Sequence, residues 1–220
     1  MRQVLLQHLH DAKIQDWCGK VLYSSINTLK KGPVYLLGYN PGGDPAKESM
    51  TLAEHVSQSP PDWNEYVDAE WMPRGIRCPA GQALLQRRVR WLLEQLGLQT
   101  REVCASNLMF GRSKSQADLS NEQMLADCCW PIHEWIMEQV QPRMILCIGG
   151  SKIPDYMIRK GRSRFIEECP SGHGDWMCQA IQWNEAQLIS IPHLSRYSID
   201  AHPDVVNWIR NLRDSSVVIP

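Results

Sequence analysis

VYLLGYNPGGD, residues 34–44, is the stretch on which the fold turns. Pro33 opens it, the apolar run Val34–Tyr39 follows, and Asn40-Pro41-Gly42-Gly43-Asp44-Pro45 ends that run abruptly. This is the pattern of a short buried strand running directly into a turn-rich loop. A Gly-rich turn after a strand lets the backbone approach a ligand and aims amide N–H groups inward. The spacing is not G-x-G-x-x-G, and no G-x-x-x-x-G-K-[ST] occurs in the chain, so dinucleotide and P-loop readings fail. Taken alone, the stretch is accounted for by a tight strand-to-helix connection capped by Asn40.

Outward from it, the same pattern recurs. Val103–Ser106, Met144–Ile148 and Leu188–Ile191 are apolar runs of strand length, ending in Asn107, Gly149-Gly150 and Pro192-His193. Between them, helical spacing predicts helices over 82–96, stopping at Gly97, and over 118–140, where Pro131 marks a break or a new first turn. A short helix is predicted over 153–160, and Pro203 begins a closing one. Residues 2–30 are expected to be helical, with a bend or stop near Gly19, and 165–183 to form a two-stranded excursion around Ser171–Gly174. Strands that are apolar throughout and alternate with helices indicate a parallel sheet covered on both faces. In such sheets the site lies beyond the carboxyl ends of the strands. Residues 40–44, 107–113, 149–152 and 193–197 occupy that edge.

Composition sets the limits. The chain has 220 residues, 43% hydrophobic, with nine Trp, which excludes intrinsic disorder. No apolar run reaches the ~18 residues of a membrane span. MRQVLLQHLH, broken by Gln3, Gln7, His8 and His10, is a poor signal peptide, so the cytoplasm is the expected location. Net charge is −1, unlike a protein that coats nucleic acid non-specifically. Basic residues nevertheless outnumber acidic ones between Gly81 and Arg164, while the reverse holds from Phe165 onward, so a local basic face is open beside the plainer reading of solvated helix surfaces. The eight cysteines form no C-x-x-C pair, which argues against a zinc ribbon, a redox motif or an iron–sulfur site.

A second stretch carries possible chemistry. Ile191-Pro192-His193-Leu194-Ser195-Arg196-Tyr197-Ser198 puts an imidazole at a strand end, followed by residue types that contact phosphates and bases. With Gly38-Tyr39-Asn40-Pro41-Gly42-Gly43, it resembles the uracil-DNA glycosylase superfamily. The first stretch is similar to the G-x-N-P-G motif of the mismatch-specific, thymine-DNA and single-strand-selective branches. The second resembles the motif in which H-P-S or N-P-S leads into a DNA-inserting loop, and Leu194–Ser198 resembles the L-S-R-x-S stretch of the mismatch-specific branch. Asn107-Leu108-Met109-Phe110-Gly111-Arg112-Ser113 resembles the segment after the superfamily's middle strand. No Pro follows His193, so either His193-Leu194-Ser195 replaces H-P-S or residues are missing before Leu194.

The resemblance implies one domain over residues 1–220, a three-layer αβα sandwich with a mostly parallel four- or five-stranded sheet. It implies a monofunctional DNA glycosylase that hydrolyses the N-glycosidic bond of an extruded uracil or other modified pyrimidine and leaves an abasic site. Asn40 would position the attacking water, and His193 would donate a hydrogen bond to the departing base. Tyr39, Asn107, Gly42 and Gly43 would bind the base. Leu194, Ser195, Arg196, Tyr197, Ser151 and Lys152 would hold the DNA. The expected protein is a monomer acting on DNA with a modified base, with no membrane partner, cofactor or metal. Residues 51–80, with Trp63, Tyr66, Trp71, Asp62, Glu65, Asp68 and Glu70, would line a roomier pocket for a bulky phage-type cytosine, implying antiviral defence, or else form a surface segment away from the site. A nucleic-acid-binding relative without base excision, and hydrolysis of free nucleosides, remain as alternatives.

Overall fold

The computed structural model describes residues 1–215. Six strands form one sheet: β1 (Val34–Gly38), β2 (Cys104–Asn107), β3 (Met144–Ile148), β4 (Ser163–Pro170), β5 (Met177–Trp183) and β6 (Ala186–Ile191), in the order β2-β1-β3-β6-β5-β4. The first four in that order are parallel, and β5 and β4 add antiparallel. The expectation of four or five strands is therefore corrected to six. The 163–183 excursion does not stand apart; it pairs onto β6 and extends the sheet.

Every residue of β1, β2 and β3 is buried, the burial demanded of strands covered on both faces. Successive side chains point to opposite faces. Tyr35, Leu37, Ile145, Cys147 and Leu188 pack with α1 (Arg2–Asp11), α2 (Leu52–Gln58), α4 (Glu122–Val140) and α5 (Lys152–Met157). Leu36, Leu146, Ile189 and Ile191 pack with α3 (Leu84–Gln95) and α6 (Pro203–Ser215). Helices thus cover both faces of the sheet.

Two helical expectations are corrected. Only residues 2–11 of the first thirty form an α-helix; Lys13 then turns with φ 57° and the chain departs. Instead of continuing as helix, it crosses the free edge of β2, with Gly19 bridging Gly111, Leu22 bridging Ser106, and the Tyr23 N–H donating to the Ala105 carbonyl at 2.8 Å. That crossing covers an edge strand whose backbone would otherwise lie unpaired. Pro131 does not break α4, which runs on through it. Pro131 faces solvent while Trp130 and Ile132 are buried, so packing on both sides holds the helix across the missing N–H.

The opposite edge, β4, is protected differently. It carries Arg164, Glu167 and Glu168 and has a bulge between Phe165 and Glu167, two devices that discourage edge-to-edge pairing.

Candidate active site

Strand register places the candidate residues. Ser106, Leu37, Cys147 and Ser190 lie in one row across the parallel strands. Asn40 and His193 each lie three residues beyond that row, at the carboxyl edge, on either side of β3. Two strand spacings separate their strand ends by roughly 10 Å. Between them the chain after β3 turns sharply at Gly149 and Gly150, whose φ values of 149° and 80° suit glycine. Their N–H groups bond back to the Ile191 carbonyl at 3.1 and 3.0 Å. Chain order reverses at β1, whose neighbours are β2 and β3, and ligands of open α/β sheets bind at such switch points.

The Asn40 amide has a fixed orientation. Its Nδ2 donates to the Pro41 carbonyl at 2.9 Å and to Ser113 Oγ at 2.8 Å. The Ser113 hydroxyl donates onward to the Ser115 carbonyl at 2.8 Å, so toward Asn40 it acts as an acceptor. With both Nδ2 hydrogens committed, the function Asn40 offers elsewhere is its acceptor, Oδ1. The loop is closed by the Ser113 N–H on the Pro41 carbonyl and by Arg112, which donates to the Gly42 carbonyl and pairs with Glu48 at 2.9 Å. Gly43 is held behind the Arg112 side chain, where a Cβ would meet Arg112 Nη1 at 2.5 Å, while Gly42 is exposed.

His193 is fixed equally. The Ser195 N–H donates to its Nδ1 at 3.2 Å, and Ser195 Oγ lies 2.7 Å from the same nitrogen. An accepting Nδ1 puts the ring proton on Nε2, so neutral His193 presents a donor. Burial, then the nearby Arg196 charge, push its pKa below the ordinary value, which keeps it neutral at pH 7. Arg88 of α3 anchors this loop, donating to the Leu194 carbonyl at 2.8 Å and to Ser198 Oγ.

Asn107 closes the group from β2. It lies beside Gly38 in register, and a Cβ on Gly38 would stand 2.1 Å from Asn107 Oδ1, so a larger residue there would displace the Asn107 amide. Asn107 is 5% exposed and its buried Nδ2 has no hydrogen-bond partner. A buried amide donor left unpaired costs stability. The Tyr23 hydroxyl interacts with the same amide.

Other expected residues are placed differently. Leu194 and Tyr197 are both 0% exposed, which corrects their reading as side chains that reach DNA. Leu194 joins the core under α3 and α6, and Tyr197 is turned inward because its hydroxyl donates to the Ser171 carbonyl at 2.6 Å. Ser195 and Arg196 are exposed on the same loop, and Ser151 is exposed after β3. Lys152 is exposed, but its charge is met by both Glu122 oxygens at 2.9 Å and it stands 5.3 Å over the Tyr39 ring.

Residues 51–80 are knotted rather than open. Buried Glu65 accepts from Lys20 at 2.5 Å, Trp63 Nε1 at 3.0 Å and Trp71 Nε1 at 3.3 Å. Burial by itself would raise its pKa, yet His55, Lys20 and Trp63 hold it well below the usual carboxylate range. Tyr66 is core, Asp68 pairs with Arg101 and Glu70 with Arg77. A groove of about 450 Å³ instead opens beside the Asn40 loop, lined by Asp44, Arg112, Ser113, Lys114, Asp118 and Asn121 among others, and by no described residue of 51–80.

Ser113, Arg88 and Tyr23 are the site residues that the sequence did not single out with a role. No local signal marks them, because each acts on a partner far away in the chain. No family model matches the chain, and no curated protein is significantly similar to it. Among the described residues, no helix is long and apolar enough to cross a membrane, and no group of three His, Cys, Asp or Glu side chains is placed to hold a metal ion.

Proposed function

We propose that this protein is a DNA glycosylase of the uracil-DNA glycosylase type, cleaving the N-glycosidic bond of an extruded uracil or other modified pyrimidine. The observation that carries the reading is the pairing of Asn40 and His193 at one sheet edge, each locked so that an acceptor and a donor remain. Hydrolysis of that bond develops positive charge on the deoxyribose and negative charge on the leaving base. Asn40 Oδ1 accepts a hydrogen bond from water and points its lone pair at the sugar carbon; an amide does not titrate, so Asn40 positions rather than deprotonates. His193 Nε2–H donates to the pyrimidine oxygen as it becomes anionic. Asn107, at the end of β2, would read the base edge through its amide.

The open groove beside the Asn40 loop leaves room for a bulky substituent on the base, since Ser113 both lines it and holds the Asn40 amide. A glycosylated phage-type cytosine, and hence antiviral defence, belongs to this reading. The test is to incubate the protein with uracil-containing DNA and with modified phage DNA and to score abasic sites. Abasic sites lost in Asn40→Ala, with DNA binding retained, support the reading. An Asn40→Ala protein that excises like wild type removes Asn40 from the mechanism.

A further inference from the structure

An enzyme that extrudes a nucleotide needs something to occupy the space left in the duplex, and apolar side chains wedged between base steps do this in many DNA-bending proteins. The loop after β6 supplies no such wedge, because Leu194 and Tyr197 are buried. The hairpin between β4 and β5 does. Its strands run antiparallel, with Pro170 paired to Met177 and Gln179 paired to Ser190 of β6. Its tip, residues 171–176, therefore projects from the same sheet edge as His193, one strand further along. Trp176 is 44% exposed there and Met177 37%, and the ring contact of Trp176 is with His173, itself exposed at the tip.

The tip is braced, not loose. Tyr197 Oη donates to the Ser171 carbonyl, and the Ser171 N–H donates to the Trp176 carbonyl at 2.9 Å. Rings continue the brace: Trp176 against His173 at 5.0 Å, His173 against Tyr197 at 6.1 Å, and Tyr197 stacked on His202 at 4.9 Å. Gly172 lets this approach occur, since a Cβ there would fall 2.6 Å from His202 Nδ1. Inward-facing Tyr197 thus fixes the hairpin tip to the His193 loop. Exposed Arg196, next to Tyr197, offers a cation on this rim, where Asp175 at the tip is exposed as well.

We infer that Trp176 is the side chain that fills the gap in duplex DNA when a nucleotide enters the site. The inference rests on the glycosylase reading, and its test is separable from it because it needs no catalysis. Binding is measured to two duplexes of one sequence, one intact and one carrying a single tetrahydrofuran abasic analogue. Wild type should prefer the gapped duplex, Trp176→Ala should lose about ten-fold of that preference, and Trp176→Phe should keep most of it. A wild type without the preference, or a Trp176→Ala protein that retains it, overturns the inference. Base release from single-stranded DNA reads the Asn40 chemistry alone. Trp176→Ala should leave it unchanged, and an equal loss on single and double strands would also overturn the wedge.

Discussion

Removing one hydroxyl tests how the Asn40 amide is aimed. In Ser113→Ala, Nδ2 keeps its bond to the Pro41 carbonyl and loses the 2.8 Å bond to Ser113 Oγ. Asn χ2 is a broad, roughly two-fold torsion, so the amide is then free to exchange Oδ1 for Nδ2. A hydrogen bond of this kind contributes about 1 kcal/mol net, which alone shifts the orientation ratio about five-fold. Misplacement of a positioned water by ~1 Å costs up to about 100-fold. The single-turnover rate of base release should therefore fall several-fold, and by up to about 100-fold where the water is displaced by ~1 Å, with DNA affinity unchanged. Ser115 also loses its donor, and about 1 kcal/mol of stability would lower Tm by ~2–4 °C in a chain of this size. Ser113→Thr, which keeps the hydroxyl, should recover much of the rate. The measurements are single-turnover base release and thermal unfolding on the same preparations. A Ser113→Ala protein with lowered Tm and a wild-type rate would refute the reasoning, since the bond would then be structural only.

Two further predictions follow from histidines. His193→Ala should lower the single-turnover rate by about 10²–10³ with smaller loss of affinity; because burial and Arg196 keep this imidazole neutral, the wild-type rate should show no His193-linked fall between pH 7 and 8. His133, buried under β1, accepts from Tyr35 Oη at 2.8 Å and donates to the Leu108 carbonyl at 3.0 Å, and burial lowers its pKa to about 4 from the ordinary 6.5. Between those values the unfolded chain binds the proton and the folded one does not, so stability rises with pH through that window and is lost as pH falls. The contribution is about 3 kcal/mol. Chemical unfolding of His133→Gln from pH 4 to 7 should give a shallower pH dependence than wild type, and equal slopes would contradict it.

The parallel part of the sheet was legible because Val34–Gly38 and Met144–Ile148 are apolar at every position, and strands buried on both faces leave that trace. The places of Asn40 and His193 at the carboxyl edge of the sheet were legible because each follows such a run. β4 was harder: Ser163–Pro170 is largely exposed, so nothing in its composition shows that the hairpin joins β6. Residues 12–30 were misread because their partners, Ala105, Ser106 and Gly111, lie some eighty to ninety residues away. The fates of Leu194 and Tyr197 were equally non-local. Arg88 on α3 and Ser171 at the hairpin tip draw that loop inward, and no spacing rule within 191–198 encodes either contact.

Identifying what leaves the DNA decides whether this protein excises a base. Wild-type protein is incubated with uracil-containing and with glycosylated-cytosine DNA, and the low-molecular-weight products are separated and identified. One free pyrimidine base is expected, in one-to-one amount with abasic sites and absent for Asn40→Ala. No free base from either DNA, or release of equal amounts by the Asn40 variant, would contradict that expectation.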